Sequence, residues 1–537
     1  MNSIDTHYRK ACEKILEAII KKPVKSKREL YILKSKYAKE FGLSKVPKNS
    51  DILSLASGES RKFLQSLLKI KPVRSASGIV VIAVMSRPYP CPQKVPCLYC
   101  PGGVAYDSPQ SYTGFEPAAL RGKEHNYDPY LQVRSRLDQL KSIGHNVQKA
   151  EIIIMGGTFL NQPIEYQEYF VKGCFDGLNG KISQSLDEAI KLNEVAEVRN
   201  VGLTIETRPD FCKEPHVDLM LKYGVTRVEI GVQTLSDRIY KIVERGHTVQ
   251  DVVDAFRIAK DSGLKIVAHM MPGLPGSSPE EDIESFRTLF EDERFKPDML
   301  KIYPTLVVRN SRLYELYIEG KYVPYPEEVF IDIVAKAMAL APPWLRIMRV
   351  QRDIPANLIV AGVKKGNLRE LAHARLKELG LSCKCIRCRE IGLLELKGEK
   401  KIEEDIVLHR TEYKASEGTE VFLSFETADR RALVGFIRLR RPSEKAHRSE
   451  VKNSAIVREL HVYGQAVPVG EKTDESWQHR GYGRRLLEEA ERITREEFGL
   501  DKILVTSAVG VRKYYEKFGY SLMGPYMGKV LKNFIVG

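Results

Sequence analysis

From about residue 76 the chain alternates short apolar runs with amphipathic stretches. The runs are Ile79–Met85, Glu151–Met155, Val201–Glu206, Val225–Val232, Lys265–Met271 and Met299–Pro304. Each has strand length and near-continuous apolar character, the mark of a strand covered on both faces. Between them, Pro129–Ile143, His216–Tyr223, Val249–Ser262 and Pro279–Phe290 repeat apolar residues at helical spacing. Six strands alternating with helices predict a parallel barrel or open α/β sheet, with chemistry at the C-terminal strand ends. Residues 305–395 read as largely helical. Strands then return at Val421–Phe425, Ala432–Arg438 and Ala455–Val462. A helix at Tyr482–Glu497, a strand at Lys502–Thr506 and a helix at Val511–Phe518 complete an α+β order. Residues 1–75 read as short helices broken around Pro47-Lys48-Asn49-Ser50. The expected domains are 1–75, 76–395 and 396–537.

A chain of 537 residues is too long for one core, so several domains are expected. No apolar stretch approaches the roughly 20 residues of a membrane span and no signal-peptide pattern opens the chain, so a cytoplasmic protein is expected. The net charge of +15 permits a polyanionic partner. Residues 1–50 concentrate 13 Lys or Arg against 5 Asp or Glu. That density suits phosphate contact, although a solvated helical face has the same composition.

Six of the nine cysteines form two clusters, Cys91/Cys97/Cys100 and Cys383/Cys385/Cys388. Odd, tight groups read as metal ligands rather than disulfides. The first follows the Ile79–Met85 run with Cys-x5-Cys-x2-Cys spacing. Iron–sulfur clusters usually take four cysteines, so three on a strand-end loop suggest a 4Fe–4S cluster with one iron open to a ligand. A zinc knuckle with a distant fourth ligand is the alternative. The second trio suits zinc, with His373, His409, Cys174 and Cys212 as unranked fourth ligands; a reduced, metal-free loop is the alternative.

Other strand ends carry polar signals. Gly156-Gly157 can offer backbone N–H groups to an amino-acid carboxylate or amine, or be an ordinary turn. Glu206, Arg208, Gln233 and His269 form a more telling set across neighbouring strands. In the C-terminal part, Gln478-His479-Arg480-Gly481-Tyr482-Gly483 opens a helix after a strand, where N–H groups and the helix dipole favour a pyrophosphate. Tyr514-Tyr515 follow later and also suit simple packing.

These residues carry resemblances. The cysteine region resembles radical S-adenosylmethionine enzymes, which implies S-adenosylmethionine chelated at the open iron and cleaved to a 5′-deoxyadenosyl radical. The later region resembles the GNAT acetyltransferases. That implies that Glu459, Leu460, His461 and Val462 line the acetyl-pantetheine arm of acetyl-CoA, that Tyr482, Gly483 and Arg484 hold its pyrophosphate, and that Tyr515 lies near the thioester. The pairing, with Cys100-Pro101-Gly102-Gly103, Gln110-Ser111-Tyr112-Thr113-Gly114, Met155–Phe159, Thr204–Asp210, Gly246-His247-Thr248, Val350–Pro355 and Glu459–Gly464, resembles the family of the Elongator catalytic subunit. The first cysteine spacing is shorter here than in some members.

The implied fold is α/β: a partial parallel (β/α)6-type radical SAM barrel, an α+β GNAT domain and a basic helical N-terminal segment that binds tRNA. The implied activity is radical addition of the acetyl carbon of acetyl-CoA to C5 of the wobble uridine, leaving 5-carboxymethyluridine after thioester hydrolysis. By the same resemblance Lys149 contacts acetyl-CoA, and Lys149, Glu459, His461 and Tyr515 are the catalytic candidates. Gly156, Gly157, Glu206, Arg208 and Gln233 are expected to hold S-adenosylmethionine. Expected partners are tRNA and either further copies of this chain or Elongator-like subunits. A protein lysine acetyltransferase with a non-catalytic barrel is the alternative function.

Overall fold

A computed structural model describes residues 3–24, 26–56, 64, 68, 77–396, 405–464 and 480–531. Gln478 and His479, and the expected boundary at 75/76, lie outside these residues.

The barrel strands are β1 Val80–Met85, β2 Lys149–Met155, β3 Arg199–Thr207, β4 Arg227–Gln233, β5 Lys265–Met270 and β6 Met299–Ile302. All six match expected runs. The segment expected to be largely helical also holds β7 Val307–Val308, β8 Arg346–Val350 and β9 Ile359–Ala361. β8 joins the parallel sheet, whose order is β1-β2-β3-β4-β5-β6-β8. Its Arg346 and Arg349 hide the strand in a sequence reading, because their partners, Glu390 and Asp353, lie on other segments.

Every residue of β4 except Gln233 is buried, yet its two faces differ. Val228, Ile230 and Val232 pack into the main apolar core beneath the helices. Arg227 and Glu229 point the other way, as period-two alternation requires. The barrel interior is therefore polar, a lining suited to a ligand rather than to filling by branched side chains.

The second sheet contains β10 Ile406–Ala415, β11 Gly418–Thr427, β12 Leu433–Arg441, β13 Ala455–Val462, β14 Lys502–Val505, β15 Ser521–Met523 and β16 Tyr526–Val530, in the order β10-β11-β12-β13-β14-β16-β15. β10, β15 and β16 had no sequence signal. β10 is a sheet edge, half exposed, so its side chains alternate only weakly. The expected helix 482–497 is α-helical over Tyr482–Arg492 and ends in a π turn, Ile493–Glu497. The expected helix 511–518 shortens to Arg512–Glu516.

The second sheet sits on the N-terminal ends of the barrel strands. Arg458 Nη1 donates to the Leu264 carbonyl over 3.0 Å, just before β5, and to Asp298 Oδ2 over 2.7 Å, just before β6. Tyr526 Oη donates to the Ser262 carbonyl over 3.0 Å. At the start of β3, a Cβ on Gly510 would lie 2.6 Å from Arg199 Cβ, so only glycine lets the turn 509–511 seat there.

Ahead of both domains, the helices Ser3–Lys21, Lys27–Glu40 and Asn49–Ser54 pack on one another through Ile15, Ile19, Leu30, Ile52 and Leu53. Asn49 and Ser50, expected in a break, begin the third of them.

Candidate active site

Parallel strands bring their C-terminal ends to one rim, and a cavity opens there. Cys91, Cys97, Cys100, Gly157, Glu206, Arg208, Gln233 and His269 all line it. Residues far apart in sequence thus meet because six strands point the same way. The sulfurs of Cys91, Cys97 and Cys100 do not all lie within 4.8 Å of one another. One zinc ion, with sulfur at about 2.3 Å, would need them closer; a polynuclear cluster spans the gap.

The cysteine loop is packed by glycine. A Cβ on Gly102 would meet the Tyr112 carbonyl oxygen at 2.2 Å, and one on Gly103 the Gln110 Oε1 at 2.4 Å. Gly156 (φ 129°) and Gly157 (φ 83°) take backbone conformations that favour glycine, and a Cβ on Gly156 would fall 2.2 Å from Ser86 Oγ. The turn after Gln110 is closed by Glu116, which accepts from Thr113 N and Oγ1, each at 2.8 Å.

Tyr112 Oη donates to Glu206 Oε2 over 2.6 Å. Burial, and then the charge on Glu229, push the Glu206 carboxyl up to about 7. Glu229 goes the other way: burial opposes its charge, but Lys301 and His269 hold it well below the usual carboxylate range. Lys301 Nζ is in direct contact with Glu229, and His269 Nε2 lies 2.8 Å from its Oε2. Burial lowers the His269 pKa, against the opposing pull of the Glu229 carboxylate. Beside them, Gln233 has a left-handed backbone (φ 74°) at an irregularity in the β4–β5 register. Its Oε1 is buried without a partner among the described residues, an arrangement typical of a site that awaits a ligand.

Arg208 lines the cavity but is already engaged. It grips Asp210 through Nε at 2.9 Å and Nη2 at 3.0 Å, and Nη1 donates to Gln93 Oε1 over 2.9 Å. Its visible work is to brace the cysteine loop. Arg245 and Gln110, which sequence reasoning passed over as site residues, reach the cysteine sulfurs directly. Both stand in or beside stretches that carried the family resemblance, which was the available signal.

The remaining candidates gather at the opposite rim. Lys149 begins β2, in register with Arg199. Burial lowers its pKa, and among the described residues no carboxylate offsets that effect. Glu459–Val462 end β13, where pairing with β14 covers only Ala455–Val457. Pairing with β12 runs on through Val462. Glu459 is gripped by Arg438 Nε at 2.8 Å. Burial opposes its charge, but Arg438 and Lys265 hold the carboxyl below its ordinary range. His461 Nε2 lies 3.4 Å from the Ser77 carbonyl oxygen, next to β1. Gly481 (φ 83°) caps the helix that carries Tyr482, Gly483 and Arg484. A Cβ on Gly483 would lie 2.8 Å from Tyr514 Oη. Tyr515 is buried, with its ring edge-on to Tyr514. Arg484 pairs with Glu488 at 2.7 Å on the surface. Lys149 and Gly156 bracket β2, so the two candidate centres stand about 20 Å apart at 3.3 Å per residue.

The second cysteine group is compact: its three sulfurs lie within 4.8 Å of one another. Cys385 and Cys388 sulfurs are 3.6 Å apart, and His373 Nε2 is 3.8 Å from Cys388 Sγ. His409, by contrast, contacts the Thr427 carbonyl and Arg430.

Comparisons with known proteins agree in outline. Residues 8–76 match the ELP3 N-terminal domain, 89–289 the Radical SAM superfamily, 297–378 the Radical_SAM C-terminal domain and 392–520 the Acetyltransferase (GNAT) family. The chain is 52% identical to the tRNA uridine(34) acetyltransferase of Methanocaldococcus jannaschii, over 90% of this chain and 91% of that one. It is 49% identical to human Elongator complex protein 3, over 94% and 93% respectively. A solved structure of the archaeal Methanocaldococcus infernus Elp3, lacking residues 1–46 at its N-terminus, superposes with a TM-score of 0.75 at 47% identity, covering 85% of this chain and all of that one.

Proposed function

The chain belongs to the family of Elongator complex protein 3 and the tRNA uridine(34) acetyltransferases, and on that premise we propose that it builds a carboxymethyl group onto the wobble uridine of tRNA from acetyl-CoA. The observation that carries this reading is the spread cysteine trio, Cys91, Cys97 and Cys100, facing a cavity that also exposes Glu206 and Gln233. These sulfurs fit three irons of a 4Fe–4S cluster. The chemistry such a cluster supplies when bound is one-electron cleavage of S-adenosylmethionine to a 5′-deoxyadenosyl radical.

Gln233 Oε1, lacking a partner among the described residues, is assigned to accept from the ammonium of that cofactor. Gly156 and Gly157 leave room for its amino-acid end, and Glu206 faces it as an acid poised near neutrality. At the other rim, Lys149 and the C-terminal end of β13, Glu459–Val462, are assigned to acetyl-CoA, with Tyr482–Arg484 at its pyrophosphate and Tyr515 toward the thioester. The Arg438 grip keeps Glu459 ionised and weakly basic, which supports the RNA substrate over a lysine ammonium that must first lose a proton. The basic helices 3–54 are assigned to tRNA phosphates. Cys383, Cys385 and Cys388 are assigned to zinc, with His373 as fourth ligand, because their spacing approaches the roughly 3.8 Å edge of a tetrahedral site. The protein is assigned to the cytoplasm, either as a homo-oligomer or with Elongator-like subunits.

Anaerobic reaction of the reconstituted protein with tRNA, S-adenosylmethionine, a reductant and isotope-labelled acetyl-CoA tests this assignment. Mass spectrometry of wobble nucleosides should find labelled carboxymethyluridine. The double exchange Cys97→Ser and Cys100→Ser should abolish it while tRNA affinity persists. Product from the double variant would overturn the radical route.

A further inference from the structure

Two segments that hold none of the cysteines converge on the sulfur atoms of the first trio. Gln110 Nε2 donates to Cys100 Sγ over 2.9 Å and to the Gly102 carbonyl oxygen over 3.1 Å. A carbonyl only accepts, so it fixes which end of the amide faces the sulfur. From the other side, Arg245 Nη1 donates to Cys97 Sγ over 3.6 Å. The guanidinium is held there at its remaining edges. Nη2 donates to the Gly231 carbonyl over 2.8 Å, and Nε to His247 Nε2 over 3.0 Å. The Arg245 carbonyl in turn accepts from Gln93 Nε2 at 2.8 Å and Arg208 Nη2 at 3.0 Å. Arg245 is 8% exposed, and among the described residues no carboxylate pairs with it. A buried cation requires a counter-charge, and the Cys97 sulfur within its reach supplies one when it ligates iron.

We propose that Gln110 and Arg245 set the reduction potential of the iron–sulfur cluster bound by Cys91, Cys97 and Cys100. The inference rests on the cluster assigned above. Reduction adds one electron, taken from an external one-electron donor, and one unit of negative charge to the cluster. A hydrogen bond to one thiolate and a buried cation beside another stabilise that added charge and raise the potential. Both residues act through the sulfurs, so they are positioning residues.

The test compares wild type, Gln110→Leu, Arg245→Met and Arg245→Lys after anaerobic reconstitution. Iron and sulfide are assayed first. The midpoint potential is then read by paramagnetic resonance during titration with dithionite, without S-adenosylmethionine or tRNA. Gln110→Leu and Arg245→Met should retain iron but reduce less readily. At the wild-type midpoint their reduced-to-oxidised ratio should fall about tenfold, equivalent to about 59 mV for one electron. Arg245→Lys, which keeps the charge, should fall between. Unchanged or more positive midpoints at full iron content overturn the proposal. So does loss of iron from Gln110→Leu and Arg245→Lys, which would make the pair a scaffold for ligation instead. A wild-type protein that takes up no 4Fe–4S cluster defeats the underlying assignment instead.

Discussion

Glu206 and Glu229 are register partners on β3 and β4, yet their carboxyls are driven in opposite directions. Glu229 has Lys301 and His269 against it, whereas for Glu206 burial and the charge on Glu229 outweigh the pull of Lys301 and the Tyr112 hydroxyl. Pairs of acids pushed apart in this way are a mark of functional sites. The shift has a measurable consequence for stability. Glu206 rises from 4.5 to about 7 on folding, so the folded chain takes up a proton that the unfolded chain releases. Stability should therefore fall as pH climbs through that interval. In Glu206→Gln that part of the slope should vanish, and the variant should gain relative to wild type above neutrality. Urea midpoints measured between pH 5 and 8 check this; parallel curves for the two proteins would show that Glu206 titrates normally.

Among the elements, the short helix Ile386–Arg389 does unexpected structural work. Ile386 N donates to the Leu345 carbonyl over 2.9 Å, tying the cysteine knot to the start of β8. Arg389 binds Glu426 of β11 at 2.5 Å, and Arg346 of β8 reaches Glu390 at 2.7 Å and the Tyr463 hydroxyl at 2.8 Å. The knot thus joins the last barrel strand to the second sheet, and the zinc proposed for it would stiffen that junction. Cys385→Ser is expected to lose about one zinc per chain while the four irons of the reconstituted cluster stay. Elemental analysis distinguishes the outcomes, and undiminished zinc would remove this group from the ligand set. The strands β1 to β6 were legible because each carries a short, mostly apolar run bounded by helical stretches. β8 and β10 were not, since the two arginines of β8 and the exposed edge of β10 erase periodicity.

The molecule as a whole is joined by buried charge. Asp298 is fully buried and meets Arg458 through two contacts, at 2.6 and 2.7 Å; Arg458 also meets Glu420, and Arg440 bridges Glu420 to Asp261. Lys260, inside this network, is lowered to about 7 by burial. Removing one member strands the others. Arg458→Met should cost about 3–5 kcal/mol of stability, partly restored by adding Asp298→Asn. Chemical denaturation of the single and double variants measures it, and a single variant as stable as wild type would show the network to be dispensable. The network also fixes which end of the barrel the second domain covers, and so sets the residues proposed for acetyl-CoA and the cysteine loop at opposite ends of β2.

The strands β1 to β6, both cysteine groups and the motifs of each domain follow from the chain itself, because apolar patterning and ligand spacing are local properties. Three things depended on folding. Gln110 and Arg245 became neighbours of sulfur, Arg208 gained a partner in Gln93, and Lys149 came to lie at the far rim from Gly156. The contacts of Arg245 with Cys97 and of Arg208 with Gln93 join residues distant in sequence, and such contacts exist only once parallel strands have fixed which ends share a rim.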